Sequence, residues 1–411
     1  MKTAKEYWDL HHKNTIELFK KRPSWMKNYD NDFPSAIFIR GLIADYKPSN
    51  ILEIGTAAGW AAYYMLDEAY KYDKNTQLTS IDFAESLYYD ITKKIGAAFK
   101  EVEPEIYKNW NLITKSMAID FAKDNDKLFD FVFIDASHTH PWATLDFIAV
   151  LPFLKDDSVV VFHDIFLNKI AAGKLPATRH PEDTYKGFEI CKGPNEIYKA
   201  FKNEMLISYD DIAPNCGAII VKADNKIKIF NKLLNILQKN WEYKYIPKDM
   251  LNSILPKYEE VIADKFGIKS AAKFKKIFTQ QLKKFSIKNK IYLSINAIQN
   301  YFLEKQKVIS LKKEAKNKRI VLWGASLYLE KLIKQHHLNS KDIIGIIDKN
   351  PEKIGKMLGI YNIYAPNDLK NLNPDKIVST VVNYPQMGQF IKEELNKQNL
   401  DIEINANLFS R

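Results

Sequence analysis

Short apolar runs, each ending in turn residues and followed by a stretch with helical spacing, recur in two series along this chain of 411 residues. The first series holds Ile51-Leu-Glu-Ile54, Gln77-Leu-Thr-Ser-Ile-Asp82, Phe131-Val-Phe-Ile-Asp135, Val159-Val-Val-Phe-His-Asp164 and Gly217-Ala-Ile-Ile-Val221. Near-continuous apolar runs that alternate with helical segments predict a doubly wound, mainly parallel α/β sheet, closed by the run at 217–221. The second series restarts the same grammar with Arg319-Ile-Val-Leu-Trp-Gly324, Ile343-Ile-Gly-Ile-Ile-Asp348 and Asp375-Lys-Ile-Val-Ser-Thr-Val-Val382. Between the two, Phe274, Ile277, Phe278, Leu282 and Phe285 share one face of a predicted helix. Upstream, Tyr7, Trp8, Leu10 and Leu18 predict a packing helix, and Ile37, Phe38, Leu42 and Ile43 lead into the first strand.

Charge separates these parts. The net charge is +11, but Lys222–Arg319 alone carries +16 and the rest −5, so the basicity belongs to the connecting stretch. Its lysines lie between the apolar positions, which makes a basic amphipathic helix. The plain expectation is that the apolar face packs on a domain or on a second subunit, giving a homo-oligomer, while the lysines are solvated. The alternative is attraction to an anionic membrane face or an anionic glycolipid. No nucleic-acid motif accompanies the lysines, so no nucleic-acid partner is expected. With 46% hydrophobic residues the chain can bury at least two cores, and no apolar run approaches the roughly 20 residues of a membrane span. The N-terminal residues lack the apolar segment of a signal peptide, so the expected location is the cytoplasm, with peripheral contact at the inner membrane face as the variant. Cys191 and Cys216 are too few for a disulfide scaffold and receive no role.

Chemistry concentrates where strands end. Asn50-Ile-Leu-Glu-Ile-Gly-Thr-Ala-Ala-Gly59 joins a strand to a glycine turn and a helix, reading E-x-G-x-x-x-G rather than G-x-G-x-x-G. A pyrophosphate needs close backbone approach at a helix N-terminus, whereas an adenosyl sulfonium needs room beside the turn and carboxylates for its hydroxyls. Asp82, Asp135 and Asp164 end successive strands, and the carboxyl edge of an open α/β sheet is where ligands bind. Asp135 and Asp164 at adjacent strand ends can chelate a hard cation, with His138 close by to accept a proton.

The glycine turn with Glu53, Gly55, Thr56 and Gly59 resembles motif I of the class I S-adenosylmethionine-dependent methyltransferases. That resemblance implies that these residues and Asp82 hold the donor, Asp82 through its ribose hydroxyls, with Asp120 and Asp135 also in the cofactor site. Asp135-Ala-Ser-His138 and His163-Asp164 are similar to the metal-dependent O-methyltransferases, most of all the branch acting on sugar hydroxyls. By that likeness Asp135 and Asp164 are metal ligands and His138 is the general base. His163 stands where the family commonly has an oxygen ligand; an imidazole there suits Mn²⁺, Fe²⁺ or Zn²⁺ better than Mg²⁺, so the cofactors expected are S-adenosyl-L-methionine and Mg²⁺ or Mn²⁺. The C-terminal series resembles the small Rossmann-like domains attached to sugar-modifying methyltransferases, with Gly324 and Asp348 either at a nucleotide pocket or serving architecture alone.

The expected organisation is a helical N-terminal cap over 1–45, a methyltransferase domain over 46–223, a basic helical connector over 224–317 and a Rossmann-like domain over 318–411. The expected activity is O-methyl transfer to a sugar, nucleotide-sugar or glycolipid hydroxyl. A nucleotide-sugar oxidoreductase and a non-catalytic nucleotide-binding or membrane-associated scaffold are the alternatives. Between Asp164 and Asn195, a Gly-, Pro- and charge-rich stretch with Arg179 and Lys186 is expected to cover the acceptor.

Overall fold

The computed structural model describes residues 2–27, 32–102, 106, 108–176, 185–210, 214–242, 248–336, 338–381, 387–406 and 408, and it divides the chain into two compact units, 1–289 and 290–411. Arg179 therefore lies outside the described residues.

In the first unit α1 (Ala4–Phe19) begins with a capping box between Thr3 and Glu6. The Asp32 carboxylate caps α2 (Phe33–Tyr46) by accepting from the Ser35 amide at 2.7 Å. There follow β1 (Asn50–Ile54), α3 (Trp60–Ala69), β2 (Gln77–Asp82), α4 (Ala97–Val102), β3 (Trp110–Thr114), α5 (Ala118–Asp124), β4 (Phe129–Ile134), α6 (Trp142–Val150), β5 (Leu154–Phe162), α7 (Leu167–Ala171), α8 (Gly193–Phe201), β6 (Leu206–Ile207) and β7 (Gly217–Val221). After the sheet come α9 (Lys226–Leu237), α10 (Lys248–Phe266) and α11 (Ile268–Ala315).

The sheet order is β3-β2-β1-β4-β5-β7-β6, parallel from β3 to β5, with β7 antiparallel to β5 and β6 antiparallel to β7. The order reverses between β1 and β4, and such a switch point opens a crevice at the carboxyl ends. Register sets what borders it. Ile54 lies opposite both Ile81 and Ile134, and Ile134 lies opposite Phe162. Gly55, Asp82, Asp135 and His163 are the residues that follow these four.

Because side chains alternate along a strand, each apolar run feeds two cores. Leu52, Ile54, Val132 and Ile134 join Phe147, Leu233, Tyr258 and Phe274 on one face. Ile51, Phe131 and Phe133 join Tyr7, Phe38 and Trp60 on the other. The stretch expected as a connector is divided: up to residue 289 it belongs to the first unit. Phe274 and Phe278 are fully buried, their rings 5.2 Å from Tyr258 and 5.1 Å from Trp241. Lys273 donates to Asn231 and Lys275 pairs with Glu259, both on exposed surface. Phe274, Ile277, Phe278 and Phe285 thus pack into the core of the first unit. No helix among the described residues is long and apolar enough to cross a membrane.

The second unit holds β8 (Ile320–Trp323), α12 (Leu327–His336), β9 (Ile343–Ile347), β10 (Met357–Leu358), β11 (Tyr361–Tyr364), α13 (Leu369–Leu372), β12 (Lys376–Ser379), α14 (Met387–Lys397) and β13 (Glu403–Asn405). Its sheet order is β10-β11-β9-β8-β12-β13, parallel except for the β10–β11 pair. The protein is therefore mixed α/β, with a doubly wound sheet in the first unit and a second, mixed sheet in the other.

Candidate active site

A cavity of about 720 Å³ opens at the switch point of the first sheet, and its lining includes Gly55, Thr56, Asp82, Asp135, His138, His163 and Asp164. Gly55 has φ +89°, a conformation that glycine adopts freely, and a Cβ there would meet the Asp135 carbonyl oxygen at 2.4 Å. Glycine is thus required by both conformation and space. Asp82 stabilises the same turn: its Oδ2 accepts from the Thr56 and Ala57 amides at 3.0 and 3.1 Å, and its Oδ1 from the Ala84 amide at 2.8 Å. Oδ2 is thereby taken up by the turn, and Oδ1 keeps further acceptor capacity.

At the ends of β4 and β5 the polar groups converge. His138 Nε2 stands 3.2 Å from Asp135 Oδ1 and 3.1 Å from Asp164 Oδ2. His163 Nδ1 lies 3.0 Å from Asp135 Oδ1 and 3.6 Å from Asp164 Oδ1. One ligand atom from each of the four lies within 4.8 Å of the others. Asp164 adopts φ +56°, unusual for a residue with a Cβ, and the Asn215 amide donates to its Oδ1, so its carboxylate is held in place. Burial alone would raise the Asp135 carboxyl, but the charge of His163 and the hydrogen bonds of both histidines hold it at about 2. Burial pulls His138 and His163 down, yet the neighbouring carboxylates keep both above the ordinary imidazole value. Behind His163, its Nε2 lies 3.6 Å from Asp32 Oδ2.

Three of the residues expected at the cofactor do not line the cavity. Glu53 is fully buried, its Oε2 accepting from the Ser80 hydroxyl, which in turn accepts from the Trp110 indole; burial pushes its carboxyl up to about 8. The strand's alternation points it beneath the turn. Gly59, at φ +84°, starts α3 and lets the backbone of Gly96 approach, where a Cβ would come within 2.8 Å of the Gly96 Cα. Asp120 caps α5 through the Met117 amide at 3.0 Å and pairs with Lys257. In the lining stand residues that the strand-end rule passed over: Ser116, Met117 and Ala118 after β3, Trp142 and Asp146 on α6, and Met250 on α10. The first three were accessible to the same rule applied to β3. Asp146 and Met250 reach the cavity through tertiary packing, which leaves no trace in local sequence.

In the second unit the turn is built in the same way. Gly324 has φ +106°, and Asp348 Oδ2 accepts from the Ala325 amide at 2.8 Å while its Oδ1 accepts from the Asn350 amide at 2.8 Å. Lys353 donates to the Ala325 carbonyl at 2.8 Å and lies 3.4 Å from Asp348.

Comparison with known proteins agrees with this geometry. Residues 52–165 match the family model described as a methyltransferase domain, and residues 316–406 match one described as C2185-like, N-terminal. None of the curated proteins matches the chain. Among solved structures, a provisionally named caffeoyl-CoA O-methyltransferase from Staphylococcus aureus is 20% identical, covering 54% of this chain and 99% of its own, with a TM-score of 0.36. The O-methyltransferase TomG from Streptomyces achromogenes, involved in tomaymycin synthesis and bound to S-adenosylmethionine, is 15% identical over 53% of this chain and 89% of its own, at 0.35. An O-methyltransferase from Bacillus cereus in complex with S-adenosylhomocysteine is 14% identical over 53% and 91%, at 0.34. The class defined by the matched domain, the switch-point cavity and the glycine turn is that of the methyltransferases with a Rossmann-like sheet. The first unit thus carries a methyltransferase domain over residues 52–165.

Proposed function

We propose that the first unit transfers the methyl group of S-adenosylmethionine to a hydroxyl oxygen of a carbohydrate or sugar-containing acceptor, with a divalent cation held by Asp135, His163 and Asp164. The observation that carries this reading is the group of two carboxylates and two imidazoles in the same cavity as the glycine turn. The donor set fits a cation: anionic oxygens supply charge, and the imidazoles favour Mn²⁺, Fe²⁺ or Zn²⁺ over Mg²⁺. When bound, such a cation supplies Lewis acidity that makes a hydroxyl easier to deprotonate.

The chain's own residues do the rest. Asp82 accepts from the ribose hydroxyls beside the glycine turn. His138, in its unprotonated form, takes the acceptor's proton as the oxygen forms its bond to the methyl carbon. The carbon–sulfur bond breaks, its electron pair stays on sulfur, and the sulfonium leaves as the neutral thioether. Since the donor is already activated, holding the two reactants in line and removing one proton are the main tasks.

At the mouth of the cavity Phe83, Tyr88 and Phe188 expose their rings, at 61%, 71% and 40% of full accessibility. Flat apolar faces beside a chelating group suit a sugar, whose ring carries an apolar C–H face and paired hydroxyls. The same rings would stack on an aromatic diol, the second reading. Calorimetric titration of S-adenosylhomocysteine into the wild type, with and without Mn²⁺ or Mg²⁺, followed by transfer assays on sugars, nucleotide-sugars and a catechol, tests both. Transfer to sugars alone supports the proposal; transfer to the catechol alone replaces it with the second reading.

A further inference from the structure

The two ring nitrogens of His163 meet different surroundings. Nδ1 faces the other donors of the site, 3.0 Å from Asp135 Oδ1 and 3.6 Å from Asp164 Oδ1. Nε2 is buried and makes no hydrogen bond among the described residues, a state that native structures rarely keep without a use. The carboxylate on that side is Asp32, whose Oδ2 stands 3.6 Å from Nε2, within ion-pair reach and a small rotation of the ring longer than a hydrogen bond. The Phe133 ring, centred 6.2 Å from the imidazole and inclined by 67°, packs beside it. Asp32 comes from outside the matched methyltransferase segment: it caps α2, its Oδ1 accepting from the Ser35 amide at 2.7 Å. Capping accounts for that one oxygen, and a serine would serve the helix as well. It does not account for a second oxygen set against a buried imidazole.

An imidazole binds a cation through one unprotonated nitrogen, and the hydrogen bond made by the other nitrogen decides which of the two carries the proton. Here the nitrogen among the carboxylates is Nδ1, so a ligating His163 keeps its proton on Nε2, where an acceptor is needed. We propose that Asp32 Oδ2 is that acceptor and that Asp32 is a positioning residue: it fixes the Nε2–H tautomer of His163 and orients the ring so that the Nδ1 lone pair meets the cation. This rests on the cation reading of the site. A buried N–H without an acceptor opposes that tautomer, whereas a carboxylate partner favours it and makes Nδ1 more basic. Through this one side chain the helix that precedes β1 is tied to the chemistry at the end of β5.

The experiment is calorimetric titration of Mn²⁺ into the full chain as wild type, Asp32→Ser and Asp32→Asn, and into His163→Gln with and without Asp32→Ser. Serine keeps an oxygen for the α2 cap and loses the one that faces the ring; asparagine keeps the cap and the shape but turns a donor toward Nε2. Both variants are expected to weaken Mn²⁺ by about ten- to a hundredfold, the scale of removing the partner of a ligating histidine, while S-adenosylhomocysteine binds as to the wild type. In the His163→Gln background no Nε2 proton remains, so Asp32→Ser should weaken Mn²⁺ no further, an outcome that a merely structural role of Asp32 would not give. Wild-type Mn²⁺ affinity in either Asp32 variant, or an equal further loss in the His163→Gln background, overturns the assignment while leaving the cation reading intact. Failure of the wild type to bind Mn²⁺ overturns both.

Discussion

His138 and His163 meet at a single atom: Nε2 of the first and Nδ1 of the second both lie against Asp135 Oδ1, at 3.2 and 3.0 Å. One carboxylate oxygen therefore organises both imidazoles. Asp135→Ala should lower methyl transfer by at least about a hundredfold, the scale of a lost acid–base group. The donor should still bind, since Asp82 and the glycine turn remain. Transfer rates and calorimetry of S-adenosylhomocysteine check the two halves separately; an equal loss in both would move Asp135 into the donor site alone.

Chelation should act on the same group. Transfer is expected to fall to background after treatment with EDTA and to return more fully with Mn²⁺ than with Mg²⁺, because two of the four donors are imidazole nitrogens. Initial rates across a metal series measure this, and full activity in EDTA would remove the cation from the mechanism.

Asp82→Ala should weaken S-adenosylhomocysteine by about ten- to a hundredfold, the scale of lost charge-assisted hydrogen bonds. The variant also leaves the Thr56 and Ala57 amides without their acceptor, so a lower melting temperature should accompany the weaker binding. Calorimetry and thermal melts on the same preparation read both effects.

What the sequence disclosed follows from how local each cause is. Strand-end acids are legible because register is local: Asp82, Asp135 and Asp164 each close an apolar run, and the parallel sheet brings them to one edge. Glu53 stays out of the cavity lining for an equally local reason, since alternation along β1 turns it toward Ser80. Asp120 went to capping, a use that the Met117-to-Asp120 spacing also encodes. Asp146 and Met250 depend on how α6 and α10 pack, which no window of sequence reveals. The basic stretch shows the same limit: its apolar face was visible, whereas its partner, the core of the first unit, was not.

Glu53 should leave a signature in the pH dependence of stability. Its ordinary value is 4.5 and burial lifts it to about 8 in the folded chain, so unfolding between those values releases a proton and stability falls as pH rises through them. Glu53→Gln removes that release. Thermal or urea melts from pH 5 to 8 should show a shallower decline in the variant, by up to about 1.4 kcal/mol per pH unit. An unchanged slope would mean that the carboxyl is ionised in the folded protein.

Phe274→Ala should destabilise the first unit by about 3–5 kcal/mol, the cost of emptying a well-packed aromatic site. Lys276→Gln, at an exposed position on the same helix, should change stability by less than about 0.5 kcal/mol. Urea titrations compare the two, and a small effect of Phe274→Ala would separate that helix from the core.

The bonds from Asp82 and Asp348 to their glycine turns give one residue type two employers. In the second unit the backbone alone accounts for an aspartate at that position. In the first unit the proposed donor site asks the same carboxylate to serve the turn and the ribose together, so that on this proposal selection for folding and selection for binding fall on one side chain. An amide at position 82 would offer a single acceptor oxygen and set the two uses in competition, leaving the site little freedom to drift toward a weaker grip without loosening its own scaffold.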